Sequence, residues 1–316
     1  MTMTLRRLIL ILLALLAAVP AAAQEKRIAL TFDDVPRTRG ALFTPEERTR
    51  RLIAQLRRAK VAQAAMFVNP GSLATADGAG GEQRIAAYVA AGHVIGDHSF
   101  SHPALSRIGA TAFLADIDRS EAWLKGRTGY RPWFRFPFLD EGGSDRALRD
   151  AARAGLAARG LSNAYVTVDG SDWNIEYQLE QAVRAGKRVD YPALRTLYVE
   201  TMVRSADFGD ALARRVLGRS PAHVLLLHET DLAALYVADL ARALRRDGWT
   251  IVTADAAYAD PLAAAPAPDT PVAQGTRIEM IALEQGVPAP RSYERNDSRL
   301  ANRLFATRVL HEKEAP

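Results

Sequence analysis

Between residues 27 and 252, short apolar, β-prone runs alternate with longer helical patterns, a rhythm that leads to a parallel sheet flanked by helices. Strands are predicted over residues 27–31, 65–68, 93–96, 133–136, 165–168, 223–227 and 250–252. A helix is predicted over 45–60, with Thr44 as N-cap, Pro45 at its first position and Glu47 three residues after the cap. A second covers 82–91 and ends at Gly92; a third covers 111–125, with Phe113, Ile117 and Leu124 on one face. Asp231 is expected to cap a further helix running through Leu235 and Leu244 to Gly248. With about seven or eight strands, the α/β pattern describes a sheet closed or nearly closed by helices. Asp33, Asp34, His98, Arg135, Asp169, Asp172 and His228 fall at or just past strand ends. In a β/α barrel those ends form the mouth where catalytic groups gather.

The chain opens differently. Arg6 and Arg7 precede an apolar run over 8–19, then Pro20 and Ala21-Ala22-Ala23 before Gln24. This is the layout of a cleaved secretory signal, so residues 1–23 are set apart and the protein is expected to be exported, to a periplasm or outside the cell. The rival, an uncleaved anchor, has too little length: twelve helical residues reach about 18 Å against a hydrocarbon core of about 30 Å. No other stretch is apolar enough to span, so no stable membrane span is expected after cleavage. The remaining 293 residues suffice for a large core, assigned to a barrel domain over 24–260. Losing two arginines takes the formal charge from +5 to +3. With no basic arm carrying interleaved aromatics, nucleic acid is not an expected partner. The absence of cysteine excludes thiolate metal ligands and a cysteine nucleophile, leaving histidine and carboxylate for any metal. After Asp260, residues 261–271 are rich in alanine and proline and read as a linker. One weakly helical piece follows, at about 298–311; packing on the barrel and disorder are both open for it, and the role of 261–316 is unassigned.

Asp33-Asp34 follows the apolar strand Ile28-Ala29-Leu30 and precedes Val35-Pro36. Neighbouring side chains on a strand point to opposite faces, so both carboxylates can serve one site only where the backbone turns, and Val35-Pro36 is expected to supply that turn. A solvated turn is the bland alternative. His98 and His102 lie 64 and 68 residues after Asp34, at a spacing that presents two imidazoles to one ion from a helical turn or compact loop. Ser99, Ser101, Pro103, Gly92 and Gly96 around them disfavour an ordinary core helix. One carboxylate and two imidazoles would make a three-ligand metal site with the second carboxylate free as a base, which points to metal-assisted hydrolysis. Arg135, Asp169, Asp172, Trp173 and His228 each have an equally good structural reading alone, as surface charge, turn former or core. Their order and strand-end placement are what set them together.

The motifs resemble those of the polysaccharide deacetylases, carbohydrate esterase family four. They are Thr31-Phe32-Asp33-Asp34, His98-Ser99-x-x-His102, Arg135-Phe136-Pro137-Phe138, Asp169-x-x-Asp172-Trp173 and Leu225-x-Leu227-His228, in that order within about residues 25–260. The resemblance implies a distorted (β/α) barrel. It implies a divalent metal, zinc first with cobalt or nickel as alternatives, on Asp34, His98 and His102. Asp33 would be the general base, held by Arg135, and His228 the general acid, oriented by Asp172. The backbone N–H of Phe138 would assist the oxyanion, and Trp173 and Leu226 would wall the acetyl-methyl pocket. Pairing with Arg135 is expected to lower the Asp33 pKa. Val35 stands where the family usually has glycine and Phe138 where tyrosine is frequent, and the stretch from Trp173 to His228 is longer than usual. Residues 176–215, with Tyr177, Tyr191 and Tyr198, are expected to add helices that either shape the groove or pad the barrel.

The expected activity is removal of N-acetyl groups from an N-acetylhexosamine polymer or oligomer, an acetylated carbohydrate being the partner. Two other readings use the same residues: hydrolysis of a small N-acyl or ring amide or of O-acetyl esters of a polysaccharide, and a catalytically silent carbohydrate-binding protein.

Overall fold

The computed structural model describes residues 25–270 and 272–313. The signal segment expected over 1–23 lies outside them. The main sheet is parallel throughout. Its strands are β1 (Lys26–Val35), β2 (Ala65–Val68), β3 (Val94–Asp97), β4 (Tyr130–Phe134), β6 (Ser162–Asn163), β7 (Val168–Asp169), β8 (Ala222–His228) and β9 (Trp249–Ile251); a short β5 (Asp140–Gly143) lies off it. The order is β6-β4-β3-β2-β1-β8-β7, with β9 paired to the start of β1. Its two edges are parts of one crooked segment. Ala164 N–H donates to Phe134 O on one side (2.7 Å), and Thr167 N–H donates to Val224 O on the other (3.1 Å). The sheet therefore curls into the distorted barrel expected from the motifs.

The helices are α1 (Pro45–Arg58), α2 (Gly81–Ala90), α3 (Leu105–Leu124), α4 (Arg146–Ala158), α5 (Asp172–Arg184), α6 (Tyr191–Leu217), α7 (Asp231–Arg246), α8 (Ala254–Tyr258), α9 (Pro261–Ala264), α10 (Arg277–Glu284) and α11 (Ser298–Val309). In α1 the Thr44 hydroxyl accepts from Glu47 N–H, Pro45 opens the helix, and Leu52 and Leu56 bury one face. Helix α3 begins earlier than its sequence periodicity indicates, because Gly109, at φ 77°, takes up a kink. Asp231 is not the cap of α7: Thr230 fills that position, accepting from Ala233 N–H, and frees the Asp231 carboxylate for Arg48. The stretch 176–215 forms most of α5 and α6. Tyr198 is fully buried there, while Tyr177 and Tyr191 stay exposed.

Strand alternation places the site. Ile28, Leu30 and Phe32 of β1 join Leu225 and Leu227 of β8 in the large cluster under the helices. The opposite row of β1 holds Ala29, Thr31 and Asp33, and that of β8 holds Ala222, Val224, Leu226 and His228. Ala29, Ala222, Val224 and Leu226 pack with Val166 and Ala257 inside the barrel. Side chains this small leave room for the short helix α8, which brings Tyr258 between Trp133 and Tyr165, at ring separations of 4.5 and 5.7 Å. Parallel register then sets Asp33 opposite His228, the last pair of the inward row.

The segment after Asp260 packs on the fold. Strand β10 (Ala273–Gln274) pairs antiparallel with β5, α10 lies on α6, and α11 lies on α5 and α6. No described helix is long and apolar enough to cross a membrane.

Candidate active site

The Asp pair does not lie beyond its strand, as the turn at Val35-Pro36 suggests; β1 continues to Val35. Asp34 adopts φ 64° and the register with β2 slips between Phe32 and Val35. This irregularity lets consecutive carboxylates serve one mouth despite strand alternation. The same device recurs around the mouth: Ser99 (65°), His102 (58°), Phe138 (58°), Leu139 (52°) and Ser171 (52°) also have positive φ. Each such backbone costs about 1–3 kcal/mol and persists only where its surroundings hold it.

His98 and His102 sit on the loop after β3. Asp97 Oδ1 accepts from Ser99 N–H (2.7 Å) and from the Ser120 hydroxyl (2.6 Å), while Ser99 Oγ accepts from His102 N–H (3.0 Å). Asp116 accepts from the N–H groups of Phe100 and Ser101 (2.9 and 3.0 Å). The loop is thus fixed by carboxylates that are not themselves ligands. His98 Nδ1 meets the Arg135 carbonyl at 2.8 Å, which assigns the proton to Nδ1 and leaves the Nε2 lone pair for the site. Asp34 Oδ1 lies 3.7 Å from His98 Nε2 and 3.3 Å from His102 Nε2.

One donor atom from each of Asp34, His98 and His102 falls within 4.8 Å of the other two. A tetrahedral ion with bonds of about 2.0–2.1 Å sets its ligands about 3.3 Å apart, so the set fits a divalent ion with one carboxylate and two imidazoles. Protonation fits as well. Burial lowers both imidazoles to about 4, with the neighbouring His98 adding to the shift at His102, so they are neutral donors at pH 7. Desolvation opposes the charged form of Asp34, but His228, His102 and Arg37 outweigh it and hold its pKa at about 2. These residues can therefore hold a metal.

Asp33 is buried beside this cradle. Arg135 Nη1 donates to both its oxygens, at 3.0 and 3.2 Å. Arg135 is 1% exposed, stacks over the Phe67 ring at 4.2 Å, and donates through Nη2 to Tyr258 Oη (2.9 Å) and Thr31 Oγ1 (3.3 Å). Contrary to the expected lowering, the Asp33 pKa is raised: loss of water at a site 3% exposed outweighs the Arg135 charge. The result is an aspartate with a higher proton affinity than usual.

On the other side, Asp172 Oδ1 lies 2.7 Å from His228 Nδ1, and Oδ2 accepts from His228 N–H at 2.9 Å. Burial works against the imidazolium, yet the Asp172 ion pair prevails and raises the pKa to about 9. His228 is therefore protonated at neutral pH, with Nε2–H free for the mouth.

The remaining sequence candidates are less closely tied. The Phe138 ring lies edge-on to His102 at 4.5 Å and is exposed. Trp173 is exposed at the start of α5, and Leu226 is buried two residues before His228 on the inward row. Asp169 accepts from Ser171 N–H at 2.7 Å and so shapes the turn that delivers Asp172.

Sequence reasoning missed two residues. Tyr258 braces Arg135 from a helix beyond the last strand, and one tyrosine among nine gives no signal. Arg37 reaches Asp34 Oδ2 at 3.3 Å, and its N–H donates to Glu229 at 2.8 Å. Its position three residues after Asp34 was the available clue. Tyr258→Phe is expected to cost about 1–2 kcal/mol in urea melts, because Arg135 Nη2 loses its shorter bond.

Residues 21–158 match a family model described as polysaccharide deacetylase, the family that the motifs resemble. Among solved structures, a family 4 carbohydrate esterase from Streptomyces lividans in complex with acetate is 22% identical, covers 74% of this chain and 97% of its own, and gives a TM-score of 0.48. A chitin deacetylase from the fungal pathogen Colletotrichum lindemuthianum is 19% identical, covers 73% of this chain and 86% of its own, and gives 0.50. The second likeness extends to the barrel fold. No curated protein matches the chain.

Proposed function

We propose that the protein is an exported, metal-dependent deacetylase that removes N-acetyl groups from an N-acetylhexosamine polymer or oligomer. The observation that carries this reading is the joint placement at one mouth of a three-donor cradle, a buried Asp33–Arg135 pair and a His228–Asp172 pair. Amide hydrolysis needs activated water, support for a tetrahedral oxyanion and a proton for the departing amine. Asp34, His98 and His102 would hold a divalent ion, zinc first and cobalt or nickel as alternatives, which would supply Lewis-acid activation of water and carbonyl when bound.

This chain's residues do the rest. Asp33 takes the proton from the attacking water, its raised proton affinity suiting it to that task. Arg135, braced by Tyr258, holds the carboxylate in place. The Phe138 N–H supports the oxyanion. His228 protonates the amine, and Asp172 both charges the imidazole and fixes its orientation. Trp173 and Leu226 wall the methyl pocket, where one extra methylene costs about 1–3 kcal/mol.

The test is acetate release from acetylated chito-oligosaccharide, peptidoglycan, poly-N-acetylglucosamine and acetyl-xylan. Release is expected from one or more of the N-acetylated substrates, to stop with chelator and to return with added zinc, cobalt or nickel. No release from any N-acetylated substrate in metal-supplemented buffer would defeat the proposal.

A further inference from the structure

The segment 273–302 lies beyond the residues matched by the family model, yet it touches both walls of the mouth. At one end β10 pairs with β5, directly after the Pro137–Leu139 turn, and Gln274 Nε2 donates to Phe138 O at 3.4 Å. The approach to β10 is anchored on α4, where Arg149 Nη1 donates to Thr270 O at 2.6 Å and Arg153 Nη1 to Pro268 O at 3.2 Å. In the middle, Arg277 N–H donates to Val166 O at 2.8 Å, on the crooked segment that closes the barrel. At the other end, Asn302 Oδ1 accepts from Asn174 Nδ2 at 2.9 Å. Arg295, Ala301 and Leu304 enclose a small cavity with Gly170 and Ser171. Arg295 also fixes this end to α6 through Thr201 Oγ1 (3.0 Å) and Glu200 Oε1 (2.8 Å).

The two walls need such support. Phe138 and Leu139 have consecutive positive φ, and Ser171 has φ 52° immediately before Asp172. Left-handed backbone at non-glycine residues persists only where neighbouring contacts over-determine it. Here those contacts come in part from one continuous piece of chain.

We propose that residues 273–302 are a strap that positions the Phe138 wall and the Asp172–Trp173 wall relative to each other, with Gln274 and Asn302 as its positioning residues. Its structural content stands by itself; its effect on acyl selection rests on the deacetylase reading. The Trp173 wall bounds the methyl pocket and the Phe138 wall carries the oxyanion N–H, so loosening the first lets a longer acyl group enter and loosening the second misplaces the reacting carbonyl.

The experiment uses full-length Gln274→Ala, Asn302→Ala and the double variant, with Asn302→Asp as a rescue that keeps the acceptor oxygen. Amide hydrogen exchange is read at 137–143 and 169–175, with β1 and β8 as internal references. Each single variant is expected to speed exchange several-fold at its own wall, the double variant at both, and Asn302→Asp to return 169–175 to the native rate. The references stay unchanged, which separates loosening from unfolding. In turnover, the preference for acetyl over propionyl amide should fall at least three-fold in the double variant, with kcat for acetyl substrate falling more than KM rises. Native exchange at both walls in the double variant would overturn the strap. Faster exchange in a protein that releases no acetate even as wild type would uphold the strap and sink the deacetylase reading instead.

Discussion

His102→Ala should abolish acetate release while leaving the fold intact. Its side chain is partly exposed, so its removal opens no core cavity. Asp34 is equally exposed, but its removal also strands Arg37, so His102 gives the cleanest separation of binding from folding. Metal content, read by elemental analysis after dialysis, should fall from about one equivalent to near zero, and activity by a factor of 10³ or more, since both the water and the carbonyl lose their activating charge. Asp34→Ala should behave likewise in activity, with one difference. Arg37 then loses its carboxylate partner, and an uncompensated cation faces the remaining imidazoles. Residual metal affinity should thus be lower in Asp34→Ala than in His102→Ala. His98→Ala should add a folding defect of about 1–3 kcal/mol, because its buried ring holds the Arg135 carbonyl. Full activity and full metal content in all three variants would refute the assignment.

Asp172→Asn should produce the second large effect, and pH exposes it. In the native protein the His228 pKa is raised to about 9. With that charge gone, burial is opposed only by the more distant Asp34 and Asp33 carboxylates, and the pKa falls from about 9. The acid would then lose its proton at a lower pH than in the native protein. Activity at pH 8 should drop by about 10²–10⁴, and the alkaline limb of kcat should move down by two units or more. Stability follows the same sign. A raised histidine pKa contributes stability fully present below about 6.5 and lost as pH rises through about 9. The native metal-free protein should lose up to about 3 kcal/mol across that window, and Asp172→Asn should lose clearly less. An unchanged alkaline limb in the variant would remove His228 from the role of acid.

What was readable in the chain follows from what is local. The strand over 65–68 has the bounds its apolar run indicates, and Thr44, Pro45 and Glu47 start α1 as their chemistry requires. Asp33, Asp34, His98, His102, Arg135, Asp172 and His228 carry a motif pattern that a barrel brings to one end, and the structure assembles them there. Three readings depended on matters no local pattern encodes. The bend at the Asp pair comes from a left-handed Asp34 inside the strand, not from a turn after it. The Asp33 pKa depends on how completely the barrel excludes water, which a count of nearby charges misses. The packing of 277–309 rests on contacts between distant residues: Ile278 and Ala282 join Leu212 and Ala213, Phe305 and Val309 join the main core, and Asn174 meets Asn302, 128 positions apart. Tyr258 is the same case: its value lies wholly in reaching Arg135 from a distant helix.

Asp33 and His228 close the same inward row of two neighbouring parallel strands. That arrangement imposes a parity rule on how this barrel can evolve or be redesigned. Adding one residue upstream in either strand would turn Asp33 or His228 out among the helices and put Phe32 or Leu227 in its place, and deleting one would put Asp34 or Glu229 there. Length changes in β1 or β8 are therefore tolerable only in steps of two, and the loops away from the His98–His102 turn are left as the part of the sequence free to vary by single residues.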